Sequence, residues 1–177
     1  SDYPAKPAII DPIPLPSGMR PRDVRRMARL TRCALFAADS AATTANSKGK
    51  DGTLYIGMTH GSTSFLAEFH DYLLDYGPDY ASPNAFSNGV TNAPLGTISK
   101  HLGLREGGCT IVGSENCGLD VLQQASAAII SGRSQMSFAG AAEEYSPIVA
   151  DVYRRIGWYP DRRPPASGYA STSRPKS

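Results

Sequence analysis

Three short apolar runs constrain this fold more than any other feature of the sequence. Thr53-Leu54-Tyr55-Ile56-Gly57-Met58, Cys109-Thr110-Ile111-Val112 and Met136-Ser137-Phe138-Ala139-Gly140 each read as a strand, by their β-branched and aromatic content and the Gly- and Ser-bearing turns around them. They are too apolar to lie with one face in water, so helices must cover them. The order along the chain is helix, strand, helix, helix, strand, helix, strand, which predicts an α/β architecture.

The helices follow from periodicity. Over residues 22–45, Val24, Met27, Ala28, Thr31, Ala34, Leu35 and Ala38 keep the spacing of one buried face, while Arg22, Arg25, Arg26, Arg29 and Arg32 occupy the rest. Residues 65–76 form a second helix, closed by Gly77-Pro78. A third spans about 84–101, with Pro94 bending it or standing near a helix start. The clearest helix carries Leu119, Leu122, Ala125, Ser126, Ile129 and Ile130 as its expected buried stripe, with Gly132 just past its end. Prolines 4, 7, 12, 14, 16 and 21 make residues 1–21 an irregular arm, in which only Ala8-Ile9-Ile10 suits an edge strand. The expected domain is 22–160, and 161–177, rich in Arg, Pro, Ser and Gly, is an expected flexible tail.

Composition then excludes whole classes. At 41% hydrophobic and 19% charged the chain can fill a core, and no apolar run nears the roughly 20 residues a bilayer span needs. A formal charge of +2 does not mark a nucleic-acid binder. Cys33, Cys109 and Cys117 are an odd set without paired spacing, which argues against a disulfide framework or zinc site and for a reducing, cytoplasmic compartment. His60, His70 and His101 have no spacing that builds a metal site. No cofactor is expected. The chain opens on Ser without a signal-like segment, so processing or trimming at that end is expected.

The stretch from Ser82 to Ser146 carries more. In order it holds Ser82-Pro83-Asn84-Ala85-Phe86-Ser87-Asn88-Gly89-Val90-Thr91-Asn92, Gly96-Thr97-Ile98-Ser99, Gly103-Leu104-Arg105, Cys109-Thr110-Ile111-Val112, Cys117-Gly118-Leu119-Asp120, Ile130-Ser131-Gly132-Arg133 and Ala139-Gly140-Ala141-Ala142-Glu143-Glu144-Tyr145-Ser146. With the upstream Ile56-Gly57-Met58-Thr59-His60-Gly61, this ordered set resembles the N-terminal half of β-ketoacyl synthases. The resemblance covers about 22–147 and implies the thiolase-like fold, N-terminal half only, with helices layered around a mixed sheet.

In that family the nucleophilic cysteine stands at the start of a buried helix, where free N–H groups and partial positive charge favour thiolate. Aligned without gaps from Arg105 and from Gly118, that position falls here on Glu115. A carboxylate suits a helix N-terminus but is a poor acyl acceptor from a thioester. Glu115 is then either a helix-start residue without chemistry or a remnant that assists electrostatically. Cys117 is the rival thiol; acting as nucleophile would need a two-residue shift of the turn, and a packed core thiol is the ordinary alternative. The family's histidines and lysine lie downstream of the nucleophile, whereas every histidine here is upstream. The ordinary places for these are a turn at His60 and helix surfaces at His70 and His101.

The resemblance therefore narrows to chain length factors of type II polyketide systems, which keep the fold, lose the cysteine and pair with an active ketosynthase. It implies a heterodimer with a complete ketosynthase in polyketide, aryl polyene or fatty-acid-like elongation. Phe86, Val90, Thr91 and Leu95 fall where an interface and tunnel end are expected, with ordinary core packing as the alternative. Arg22, Arg25, Arg26 and Arg29 suit an acidic acyl carrier protein, or are a solvated helix face. One half of a split active ketosynthase and a scaffold without acyl chemistry remain open as other readings. A half of a two-half fold exposes apolar surface, so the chain alone is expected to aggregate or to bring down a ketosynthase.

Overall fold

In a computed structural model, residues 12–48, 50–113 and 115–157 are described. The expected strand at Ala8-Ile9-Ile10 and the tail from Asp161 lie outside them, as does most of the N-terminal arm. Two units separate. The larger, Ile13–Glu144, holds the sheet; the other contains one described helix.

In the larger unit, helix α1 is Pro21–Val24 and α2 is Arg29–Thr44. Strand β1 (Thr53–Met58) leads to α3 (Thr63–Tyr76), a single 3₁₀ turn at Pro78–Tyr80, α4 (Pro83–Gly89) and α5 (Ala93–Leu102). Then come β2 (Gly108–Val112), α6 (Cys117–Ile130) and β3 (Ser137–Ala141). In the second unit α7, Pro147–Arg155, starts with proline in its first turn. Its Asp151 is bonded by Arg154 and Arg155, and Ile148, Val152 and Ile156 stand exposed at helical spacing.

The sheet order is β2-β1-β3, with both pairings parallel. A mixed sheet was expected; among the described residues no antiparallel pair occurs, because every strand-to-strand connection runs through helix. β1 is central and buried along its whole length. Its side chains alternate between two cores, as the pleat requires. Leu54, Ile56 and Met58 pack with Leu30 and Leu35 of α2 and Ile98 and Leu102 of α5. Tyr55 packs on the other face with Val121, Ala125 and Ala128 of α6. The result is three layers, helix, sheet, helix.

Two expected helices are divided. The helix over 22–45 is interrupted at residues 25–28, where Ala28 turns extended (ψ 149°) and donates its backbone N–H to the Asn88 side chain at 3.2 Å. A side-chain acceptor sixty residues away replaces the helical one. The helix over 84–101 is two helices, and Pro94 sits in the first turn of the second, where a missing N–H costs nothing. No described helix is long and apolar enough to cross a membrane.

A buried carboxylate ties the α2–α5 layer together. Asp39, with a side chain only 5% exposed, accepts from Lys48 Nζ at 2.8 Å, from the Ser17 N–H and hydroxyl at 2.9 and 2.8 Å, and lies 2.9 Å from His101 Nε2. Burial opposes its ionisation, but Lys48, Ser17 and His101 outweigh burial and hold the carboxyl well below the usual carboxylate range. His101 was expected on a helix surface; its ring is instead spent on this contact. Asp39→Ala is expected to cost about 3 kcal/mol, because it strands the groups that face it. Since the folded pKa is depressed, ionised Asp39 stabilises above the ordinary carboxylate value of about 4 and that contribution drains away as pH falls. The stability gap between wild type and Asp39→Asn, read from urea unfolding, should therefore narrow below about pH 4.

Candidate functional site

Because the three strands run the same way, their carboxyl ends share one edge, the position where parallel sheets place their sites. Thr59-His60-Gly61 leaves β1 there, Gly113 leaves β2 with the turn residues Glu115 and Asn116 leading into α6, and Ala142-Glu143-Glu144 leaves β3. Gly113 adopts φ +95°, a left-handed value that glycine takes without strain, and donates its N–H to the Met58 carbonyl at 3.2 Å. The turn then feeds α6, whose first N–H groups, from Leu119 and Asp120, reach the Asn116 carbonyl at 2.7 and 3.0 Å.

Glu115 stands in this turn just ahead of the helix and is exposed. Cys117, the first helical residue, is 6% exposed. The backbone is pressed against β1: a Cβ placed on Gly57 would sit 2.6 Å from the Cys117 carbonyl oxygen and 3.2 Å from the Cys117 Cβ. The residue that the resemblance aligns with the family's nucleophile is thus an exposed carboxylate, and the nearby thiol is buried.

The same edge uses two residues that entered the sequence reading only as part of a pattern. Glu143 accepts from the backbone N–H of Thr59 at 2.7 Å and of His60 at 2.9 Å, with His60 Nδ1 at 3.7 Å. Glu144 accepts from Ser64 N–H at 2.9 Å, in the first turn of α3 where N–H groups have no helical partner. Together they clamp the β1–α3 turn to the end of β3. A pair of acids after a strand was the only local signal, and the N–H groups that donate to them lie some eighty residues away.

The other expected site residues are dispersed. His60 is at the edge, His70 is exposed on α3, and His101 is held by Asp39. Phe86 is 53% exposed and stacks on Phe69 with centroids 5.4 Å apart. Val90 ends α4. Thr91 lies beside Gly61, and Leu95 packs into the α2–α5 core. These four therefore line no single wall within this chain. Arg22, Arg25 and Arg26 are exposed and Arg29 is half-buried. Among the described residues no group of three or more His, Cys, Asp or Glu is placed to hold a metal ion.

The model of the β-ketoacyl synthase N-terminal domain matches residues 12–170. The chain belongs to that family. This ketosynthase domain resembles several solved structures in fold. One is described as the ishigamide ketosynthase/chain length factor, at 24% identity and TM-score 0.69, over 78% of this chain and 42% of that one. Another is a β-ketoacyl synthase from Burkholderia phymatum STM815, at 19% and 0.68, over 84% and 38%. A third is the ketosynthase ApeO in complex with its chain length factor ApeC from Xenorhabdus doucetiae, at 20% and 0.54, over 72% and 52%. The ketosynthase domain seen here thus spans between 38% and 52% of the length of those chains. No curated protein matches it.

Proposed function

We propose that this ketosynthase-family chain is a non-condensing partner of the chain-length-factor kind. It pairs with a complete ketosynthase in the cytoplasm and shapes that enzyme's acyl tunnel during polyketide, aryl polyene or fatty-acid-like elongation. One observation carries the reading: the turn that should present a thiolate presents the exposed carboxylate of Glu115. A carboxylate at that place cannot take an acyl group from a thioester as a thiolate does. Two solved structures of similar fold are themselves described as ketosynthase and chain length factor pairs. The free thiols of Cys33, Cys109 and Cys117 suit a reducing compartment. Exposed Phe86 and Thr91, with half-buried Val90, are offered to the partner's tunnel, while Leu95 is held in this chain's own core; Arg22, Arg25, Arg26 and Arg29 are offered to the carrier protein.

Co-expression with a complete ketosynthase and its carrier protein tests this. A stable complex is expected, in which Phe86→Ala lengthens the product and Glu115→Ala leaves turnover within about twofold. A tenfold loss of condensation in Glu115→Ala, with the complex intact, would overturn the non-condensing role. A complex formed only with a chain that carries the other half of the fold would favour a split ketosynthase instead.

A further inference from the structure

The α3 helix stands outside every role assigned so far. It buries none of its residues, although it is rich in large apolar side chains. Tyr72 and Tyr76 lie 5.8 Å apart, and Tyr76 and Tyr80 6.4 Å, as a row of rings along α3 and the 3₁₀ turn; Tyr76 is 62% and Tyr80 71% exposed, and Leu74 beside them 84%. Glu68, Asp71, Asp75 and Asp79 share this surface and are exposed, and none pairs with a cation among the described residues. Between Lys50 and Lys100 the sequence holds neither Lys nor Arg.

The opposite charge is gathered nearby. Arg20, Arg22, Arg25 and Arg26 are exposed around α1, where Asp23 engages only the first two, at 3.4 and 3.8 Å. Both patches are attached to α4: α3 packs on it, and Asn88 of α4 holds the backbone of Ala28. A surface carrying a positive and a negative patch side by side complements itself under a two-fold axis, since each patch then meets its opposite in the other copy. Arginine adds specificity here, because its flat guanidinium stacks on tyrosine rings as well as pairing with carboxylates.

We propose that the acidic tyrosine face of α3 and Pro78–Tyr80 docks the Arg20–Arg26 segment of a second copy of this chain, reciprocally about a two-fold axis. The surface is separate from α6, and the inference does not depend on the pairing with a ketosynthase; it does compete with the carrier-protein contact for Arg22, Arg25 and Arg26, so the two contacts exclude one another.

Charge reversal in two differently tagged, co-expressed full-length copies tests it. Wild type should capture wild type, less at 0.5 M than at about 0.05 M salt. The variant Asp71→Arg/Asp75→Arg/Asp79→Arg is basic on both patches, and Arg22→Glu/Arg25→Glu/Arg26→Glu is acidic on both. Each should lose capture of itself at least tenfold, while the two variants together should capture one another near the wild-type level, because both contacts are restored. No wild-type capture, self-capture by either variant at the wild-type level, or failure of the crossed pair would each overturn the proposal. The crossed pair also separates this contact from apolar stickiness and from bridging by a ketosynthase, neither of which responds to a swap of charge.

Discussion

Gly57→Val is expected to detach α6 from the sheet and to cost the chain a large part of its stability. The space a side chain needs at position 57 is occupied by the Cys117 backbone, whose carbonyl oxygen would be 2.6 Å and carbonyl carbon 2.8 Å from the new Cβ. Backbone cannot rotate aside as a side-chain tip can, so either α6 or β1 must shift. β1 is the buried central strand, and moving α6 opens the Tyr55, Val121, Ala125 and Ala128 cluster to water. Overpacking of this kind costs about 3 kcal/mol, and here the lost burial adds to it. Gly96→Val is the matched control. Gly96 lies in α5 with nothing within 4 Å of its Cβ position, and valine is a better helix former than glycine, so that change should be neutral or slightly stabilising. Pulse proteolysis in urea reads both; equal midpoints for the two variants would mean that α6 does not sit where Cys117 places it. Because α6 follows directly from the Glu115 turn, Gly57→Val should also impair pairing with a ketosynthase, which Gly96→Val should not.

The crowding at Gly57 explains which parts of this fold could be read from residues and which could not. The strands were legible because short apolar runs between glycine-bearing turns leave little else to form, but their wholly parallel pairing was not, since a mixed sheet was expected. The position of α6 was legible too, but not its orientation. Periodicity favours the largest apolar residues as the buried stripe, so Leu119, Leu122, Ala125, Ser126, Ile129 and Ile130 were expected inside. Of these the structure buries only Ala125, together with Cys117, Val121 and Ala128. The close approach at Gly57 admits only small or slender side chains against the sheet, and the bulky ones turn outward. A helix apolar on both faces cannot announce from its sequence which face meets its own sheet. The break before α2 and the capture of His101 were hidden for another reason: Asn88 and Asp39, their partners, are distant in sequence, so no local pattern carries them. The reading of Glu115 as a replaced thiol rests on the family's spacing of the glycines and arginine around it, not on any local feature of the turn.

That outward face of α6 leads to the second large effect. Leu119 is 67% exposed, Leu122 53%, Ile129 48% and Ile130 86%, a continuous apolar strip on a helix whose other side is already packed. An apolar strip of this kind marks an interface more often than a tolerated surface. Leu122→Lys/Ile129→Lys is therefore expected to have two opposite consequences: the chain expressed alone becomes soluble, and its capture by a co-expressed ketosynthase falls at least a hundredfold. Full burial of a Leu or Ile contributes about 1.5–3 kcal/mol, so the half of each side chain still exposed supplies together about 1.5–3 kcal/mol, or one to two decades of affinity, and the cost of burying two lysine charges in their place carries the loss beyond that. The pairing of the two outcomes gives the test its force. Solubility gained with capture unchanged would place the ketosynthase contact elsewhere on the chain. A wild-type chain that stays monodisperse and monomeric at high concentration would show that the strip needs no partner. The solubility arm also separates α6 from α3, because charge reversal on the acidic tyrosine face leaves the apolar strip intact and should not rescue the chain from aggregation.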